Sequence, residues 1–485
     1  MVEGGAYLLA GPPVIGKSTL GIQVALRRAL SICSVAVVAA ASLPAPVAGQ
    51  VTTFPGIEWS RYQLSNGLDV VLAPDPAATE VSVELWIHVG ARHEAPGRFG
   101  LAHFFEHAMP FGQGMTRTRV GRQLLDSMRT DSNAITRFDY TRFYTQARAE
   151  ALDLFLQAAA DRLRADPVFE LTAAGVDAHR RNVVTEIARA AGGTWGWPVK
   201  VALHAGTFGA HHPYGHHIYG SEAETRETSA DDMLRWFRAH VRPEYTTLIV
   251  VGRFDSPDAR SAIELAFGGI PGGRRPPRAE STVPAVALAT DSVEVAANGS
   301  HVFMSWPVPP WGSEERAPLT LIARILTDRL AAGRPPSVQD AVAETEFLEL
   351  AGRFTVRATF TREADRPGIE AWLRREVTRL LADGVTQREL QAAKDVIVAD
   401  TRAHMAALGW ENSRSELLGE GVIFADDPGA YVLALARVGT VTPAAARGSL
   451  QRWLADPGFL LVVRGTSAQR PTGRSAVPRA EGRTE

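Results

Sequence analysis

His103-Phe104-Phe105-Glu106-His107 reads H-x-x-E-H, and the architecture of the whole chain follows from how that stretch is read. If the five residues are helical, His103 and His107 stand one turn apart on one face, so both imidazoles can reach a single metal ion. Glu106 lies near that face. A zinc ion held by two imidazoles and a carboxylate keeps a fourth position for water, whose pKa it lowers, and a nearby carboxylate can take the proton. His103 and His107 are therefore candidate zinc ligands, and Glu106 is the candidate general base.

Two histidines need a third ligand. Glu186 is the candidate, in a segment where Val183, Val184 and Ile187 recur at helical spacing. The bland alternative for Glu186 is an ordinary solvated helix carboxylate. Other motifs flank these residues in order: Leu64-Ser65-Asn66-Gly67-Leu68, a hairpin turn; Val89-Gly90-Ala91-Arg92-His93-Glu94, leading into Gly100-Leu101-Ala102-His103; then Asn133-Ala134-Ile135-Thr136, His212-Pro213-Tyr214-Gly215 and Leu248-Ile249-Val250-Val251-Gly252.

With these motifs, residues 57–465 resemble the insulinase or pitrilysin family of zinc peptidases, the inverzincins, in the half-length form that includes mitochondrial processing peptidase subunits and bacterial relatives. The resemblance implies one zinc ion per chain on His103, His107 and Glu186. It also implies an α+β fold of two homologous domains, each a mainly antiparallel sheet covered by helices, closing like a clamshell on a peptide. Asn133 and Ala134 would lie on the edge strand to which an extended substrate adds by main-chain hydrogen bonds.

Two departures from the family pattern matter. Seven residues before Glu186, where the family usually has a supporting glutamate, stands His179; an imidazole cannot replace a carboxylate as acceptor for a ligand histidine, so the surroundings of the metal must differ. In the C-terminal half, active members carry an Arg and Tyr pair that holds the substrate and polarises the scissile carbonyl. Residues 329–360 contain no tyrosine, and Tyr431, the only one beyond Tyr245, lies far from the expected place. A second family subunit, or a homodimer, is the expected source of the missing groups.

Composition agrees with a large globular protein: 485 residues exceed a usual single core, and 45% are hydrophobic. A net charge of −2 gives no electrostatic reason to propose nucleic acid as a partner. The two halves repeat one pattern. Thr228-Ser229 starts a helix through Arg235-Trp236-Phe237, followed by Pro243 and the strand 248–251; Thr442-Pro443, Arg452-Trp453-Leu454, Pro457 and the strand 459–463 echo it. This predicts a catalytic domain over 50–272, a Pro- and Gly-rich linker over 273–290, a homologous domain over 291–465 and a disordered tail over 466–485. In the first strand region Val81, Val83, Leu85, Ile87 and Val89 alternate with Ser82, Glu84, Trp86 and His88, so one face packs beneath helices. The histidine-rich loop 211–217 reads as a structural turn rather than a second metal site.

The first 49 residues read as a leader. Arg27-Arg28, an apolar stretch over 29–43 and Pro44-Ala45-Pro46-Val47-Ala48-Gly49 have the layout of a secretory signal peptide, too short for a stable membrane span. Periplasmic or extracellular export is the expectation, with a cytoplasmic protein as the alternative. Gly11 to Ser18 fits the Walker A pattern, yet nothing after about residue 55 supplies an ATPase fold, so it is read as spurious or vestigial. The only cysteine, Cys33, falls within this leader, which leaves the mature chain without thiol chemistry. Two functional classes remain: a zinc endopeptidase of short or unfolded peptides, and a zinc-retaining peptide-binding or assembly subunit with little activity alone. N-terminal sequencing of the expressed protein is expected to start at Gln50; recovery of residues 6–17 in the mature chain would defeat the leader reading.

Overall fold

Eleven described strands fall into two sheets that repeat one connectivity. The computed structural model describes residues 56–109, 119–164, 172–191, 196–275, 277–296 and 299–466. The expected leader, with its Walker-like stretch and Cys33, and the tail from residue 467 onward, lie outside the described residues. The first sheet contains β1 (Ser60–Gln63), β2 (Asp69–Pro74), β3 (Glu80–Ile87), β4 (Arg129–Thr136), β5 (Thr141–Arg148) and β6 (Thr246–Gly252), in the order β1-β2-β6-β3-β5-β4. The second contains β7 (Thr290–Ala296), β8 (Ser300–Val308), β9 (Val338–Phe347), β10 (Gly352–Phe360) and β11 (Phe459–Thr466), in the order β7-β11-β8-β10-β9. Only the β2–β6 and β7–β11 pairs are parallel. Leaving out β1, each sheet sets its first strand beside its last, then its second, fourth and third.

Local chemistry explains the element ends. Gly67 turns the β1–β2 hairpin at φ +91, a left-handed conformation that favours glycine. The neighbouring Asn66 amide donates to the carbonyls of Phe267 and Ile270. In the two repeated units, Ser229 caps the Ala230–His240 helix by accepting from the Asp232 amide, and Thr442 caps Pro443–Trp453 by accepting from Ala445. Strand β11 runs one residue into the expected tail, with Thr466 opposite Ala296.

Each sheet is buried on both faces. The inner residues of β3, Val81, Val83, Leu85 and Ile87, join a core with Phe104, Phe105, Phe155, Trp236 and Ile263 from the helices of the first half. A matching core in the second half sets β8 and β10 against the Arg316–Ala332 and Arg366–Asp383 helices. The far face of the first sheet, with Val71, Trp86, Ile249 and Val251, packs on Leu418, Val422 and Ile423 of the Arg414–Ala425 helix. Reciprocally, Phe303, Phe459 and Leu461 of the second sheet pack on Val199 and Leu203 of Trp197–Phe208. Each half thus lends a helix to the other. Full burial of each large side chain in these seams stabilises by about 1.5–3 kcal/mol.

This exchange changes the reading of β3. Its alternate residues Ser82, Glu84 and Trp86 are buried as completely as the apolar set. Glu84 accepts from Arg142 at 2.7 Å, Trp86 Nε1 at 2.9 Å and Ser415 Oγ at 2.5 Å, so a buried charge is fully partnered across the halves. Gly419 permits the approach, since a Cβ there would stand 2.3 Å from the Trp86 ring.

A second polar junction ties the β4–β5 turn to the β9–β10 turn. Tyr214 donates to Asp139 Oδ1 at 2.7 Å and accepts from the Leu350 amide at 2.9 Å. Arg92 lies 3.1 Å from Asp139 and 2.6 Å from Glu349, which His88 also contacts at 2.8 Å. Burial holds Asp139 up at about 6, against the pull of Arg92. The His-Pro-Tyr-Gly motif therefore serves this junction. Its histidines make local contacts, His212 with the Thr282 carbonyl and His216 with that of Ala91, both at 3.0 Å.

Between Phe267 and Thr290 the described residues form no helix or strand, and Arg278 donates to the Val422 carbonyl at 2.7 Å. Among the described residues no helix is long and apolar enough to cross a membrane. Tyr214→Phe is expected to cost about 1–3 kcal/mol by stranding two buried partners, measured by chemical denaturation. Tyr62→Phe serves as the control: its buried hydroxyl has no hydrogen-bond partner among the described residues, so the change should stay within about 0.5 kcal/mol.

Candidate metal centre

The H-x-x-E-H segment forms the Leu101–Ala108 helix, and Glu94 secures its start. Gly100, the residue before the first turn, has no side chain to cap the helix, and its φ of +87 favours glycine. Glu94 reaches across instead, accepting from the amides of Gly100 at 2.8 Å and Ala102 at 2.7 Å. A carboxylate there satisfies two orphan donors and complements the helix dipole. Gly100 also lies against Gly220: a Cβ on Gly100 would stand 2.2 Å from the Tyr219 carbonyl, and one on Gly220 would stand 1.9 Å from that of Phe99. That close approach brings the Tyr219 ring over His103, with centroids 4.4 Å apart.

His103 and His107 meet Glu186, which comes from the Ala173–Ala191 helix. His103 Nε2 and His107 Nε2 are 3.2 Å apart, His107 Nε2 is 3.0 Å from Glu186 Oε2, and His103 Nε2 is 3.7 Å from Glu186 Oε1. Ligands of a tetrahedral zinc at ~2.0–2.2 Å stand roughly 3.3 Å from one another, so the three side chains fit that ion. They form the one group of three or more potential ligands among the described residues. Glu106 is buried in the same helix, and Thr136 Oγ1 donates to its Oε2 at 2.8 Å. Thr136 ends β4, so the base and the end of that strand are held together.

Asn133 and Ala134 lie on β4, which closes one edge of the first sheet and pairs with β5 on its inner side. His179 stands two turns before Glu186 on the same helix; burial, and then the neighbouring His107, pull its pKa down. His103 Nδ1 is buried with no hydrogen-bond partner among the described residues. A ligand histidine usually donates that second N–H; here ring contact with Tyr219 orients His103 instead.

Sequence reasoning missed three contributors: Glu94, Thr136 and Tyr219. Burial, followed by the charges of Glu186 and Glu106, raises Tyr219 to about 12, and its hydroxyl hydrogen-bonds Glu186. The signals were present, since Glu94 and Thr136 close quoted motifs and Tyr219 follows the histidine-rich loop. In the region expected to hold the Arg and Tyr pair, the arginines are engaged elsewhere. Arg329 binds Glu389, Arg334 the Gln339 carbonyl, Arg353 Glu346 and Arg357 Asp340. Tyr431 accepts from the Ile57 amide, away from the metal ligands.

Residues 69–221 match the family model described as Insulinase (Peptidase family M16), and residues 228–397 match that of the Peptidase M16 inactive domain. All three candidate ligands and Glu106 fall within the first match. A zinc protease of Mycobacterium leprae is 29% identical over 391 residues, covering 74% of this chain and 82% of that protein. The zinc protease YmxG of Bacillus subtilis is 29% identical over 209 residues, 43% of this chain; the match spans about half of that relative, 49%. The crystal structure of a protease from Helicobacter pylori superposes with a TM-score of 0.73 over 84% of this chain and all of that one, at 18% identity, which shows the shared fold.

Glu94→Ala leaves the first turn of the Leu101–Ala108 helix uncapped, and denaturation should report a loss of about 1–2 kcal/mol. Retention of wild-type stability would show that another group caps that helix.

Proposed function

Since this chain belongs to the insulinase (M16) peptidase family, we propose that it is a zinc-dependent endopeptidase of short or unfolded peptides, with Glu106 as general base. One observation carries this reading: His103, His107 and Glu186 converge at zinc-ligand spacing beside a buried carboxylate held by Thr136. When bound there, zinc supplies Lewis-acid polarisation of the scissile carbonyl and acidifies the attacking water. Glu106 takes that water's proton and returns it to the leaving nitrogen, with Thr136 orienting the carboxylate. Tyr219 positions Glu186 through its hydroxyl and His103 through its ring.

The edge of β4 provides the substrate track. A peptide adding to Asn133 and Ala134 by main-chain hydrogen bonds would be extended, with its carbonyls running toward Thr136 and hence toward Glu106. Such pairing needs free backbone, which favours short or unfolded substrates over folded ones.

A second reading is a zinc-retaining subunit that needs a partner. It is favoured by residues 329–360, which contain no tyrosine and whose arginines are engaged within the chain. A second family subunit, or another copy of this chain, would then donate groups to the developing oxyanion, which are worth several kcal/mol of barrier in acyl transfer.

The zinc-loaded chain tested on a quenched-peptide library distinguishes the readings. Cleavage is expected, with Glu106→Gln lowering kcat/KM by about 10²–10⁴ at an unchanged one zinc per chain by elemental analysis. Thr136→Val should reduce kcat by about tenfold with little change in KM, because its hydroxyl orients the base. Undiminished cleavage by Glu106→Gln sinks the proposed mechanism; zinc binding without cleavage by either protein supports the subunit reading.

A further inference from the structure

The second half repeats the cleft that brings the candidate metal ligands together, and furnishes it differently. In the first half those ligands stand on Leu101–Ala108, the helix that follows β3, and on Ala173–Ala191, the second of five α-helices described between β5 and β6. In the second half the helix that follows β8 is Arg316–Ala332, and the second of the five described between β10 and β11 is Gln387–Ala406. This counterpart pair, with Arg414–Ala425 and Ala430–Thr440, encloses a cavity of about 220 Å³. Thr320, Ile397 and Thr401 are what the two counterpart helices present to it. Among the described residues no histidine lines the cavity and Glu420 is its one carboxylate, so it lacks the donors that a metal needs.

Most of that wall is apolar, with Trp311, Ile397, Leu417, Tyr431, Leu435 and Val438 around the space. Water finds few hydrogen bonds against such a lining, and the lining carbons forgo dispersion contacts on their open side, so a compact apolar group gains on entering. The volume is several times one water's share of about 30 Å³, yet too small for a helix, whose diameter is about 10 Å. It suits a single large side chain. The route to it runs through a second cavity, of about 620 Å³, between the Trp197–Phe208 helix, the β4–β5 turn and β9. In the wall of that larger space are Arg137, which follows the Thr136 that ends β4, and His217, on which the charge of His103 acts. The same space shares Trp311, Arg316, Thr320 and Glu420 with the apolar cavity. A peptide that lies along β4 and continues past Thr136 therefore enters the larger cavity and meets this shared wall. Two of the four shared residues, Arg316 and Glu420, have long side chains whose rotamers change without moving the backbone.

We propose that this counterpart cleft anchors an apolar side chain, aromatic or branched aliphatic, of the same peptide whose backbone lies on β4. The proposal rests on the peptidase reading above and adds a substrate class to it: peptides long enough to reach from the metal ligands into the second half, and apolar where they arrive. One copy of the repeated cleft then carries the chemistry and the other holds the chain.

The test measures binding rather than turnover, so that it separates from the catalytic reading. Full-length, zinc-loaded Glu106→Gln chain is titrated into dye-labelled peptides in which one phenylalanine is walked along an otherwise small and polar sequence. At one stretch of positions the phenylalanine is expected to tighten binding about tenfold over the phenylalanine-free peptide. Ala434→Leu and Thr401→Leu fill the cavity from two different helices, and neither residue belongs to the metal centre or to β4. Each variant, checked for folding by thermal melting, should erase that gain while leaving the affinity of the phenylalanine-free peptide unchanged; either one suffices if the other fails to fold. A gain that persists in both filled variants belongs to another subsite and overturns the proposal. Equal binding at every phenylalanine position also overturns it, and leaves the peptidase reading intact. Failure of every peptide to bind overturns the peptide reading and this one with it.

Discussion

Each sheet in this protein needs a helix from the other half to cover its second face. The far side of β3 carries Glu84 and Trp86, and both are sealed by the Arg414–Ala425 helix. An ionised carboxylate so buried is tolerated only because Arg142, Trp86 and Ser415 satisfy it. The loan is returned by Trp197–Phe208, which covers Phe303 and Leu461 of the second sheet. Separating the halves would expose two apolar faces and strand a buried ion network. Neither half is therefore a self-sufficient unit, although each has the connectivity of one.

That constraint positions the candidate centre. The Leu101–Ala108 helix packs on the inner face of the first sheet, and Glu94 fixes its start. The loop carrying Tyr219 is brought onto His103 through contact at two glycines, where any side chain would force the backbones apart. Thr136 ends the edge strand and grips Glu106, so the strand proposed to bind substrate is tied to the group proposed to move the proton. A base held by hydrogen bonding keeps its orientation without relying on side-chain packing alone.

Of the two departures from the family pattern, His179 lies beside the candidate ligands and the missing Arg and Tyr pair belongs to the second half, so neither alters the candidate ligand set. His179 brings an imidazole rather than a carboxylate toward His107, and the His103 ring is steadied by Tyr219 while its Nδ1 lacks a hydrogen-bond partner among the described residues. A ring contact does not raise the basicity of a candidate ligand histidine as a carboxylate partner does.

Much of the fold was legible in the residues, because the determinants are local. Alternation in 81–89, the turn at Asn66-Gly67 and the caps at Ser229 and Thr442 act within a few positions and need no knowledge of neighbours. The repeat of helix, proline and strand likewise marked the two homologous halves. The family resemblance came from several motifs in order along the chain, that resemblance implied the mixed α+β class, and the pairing of His103 with His107 came from their spacing on a helix. What the residues could not disclose depends on contacts between distant segments: the burial of the polar face of β3, the use of Tyr214 to join Asp139 and Leu350, the grip of Thr136 on Glu106, and the meeting of Arg137, Lys200, Arg316 and Arg353 around one cavity. Periodicity specifies which face of an element is apolar, but only packing decides what covers the other face and which charges are left without a partner.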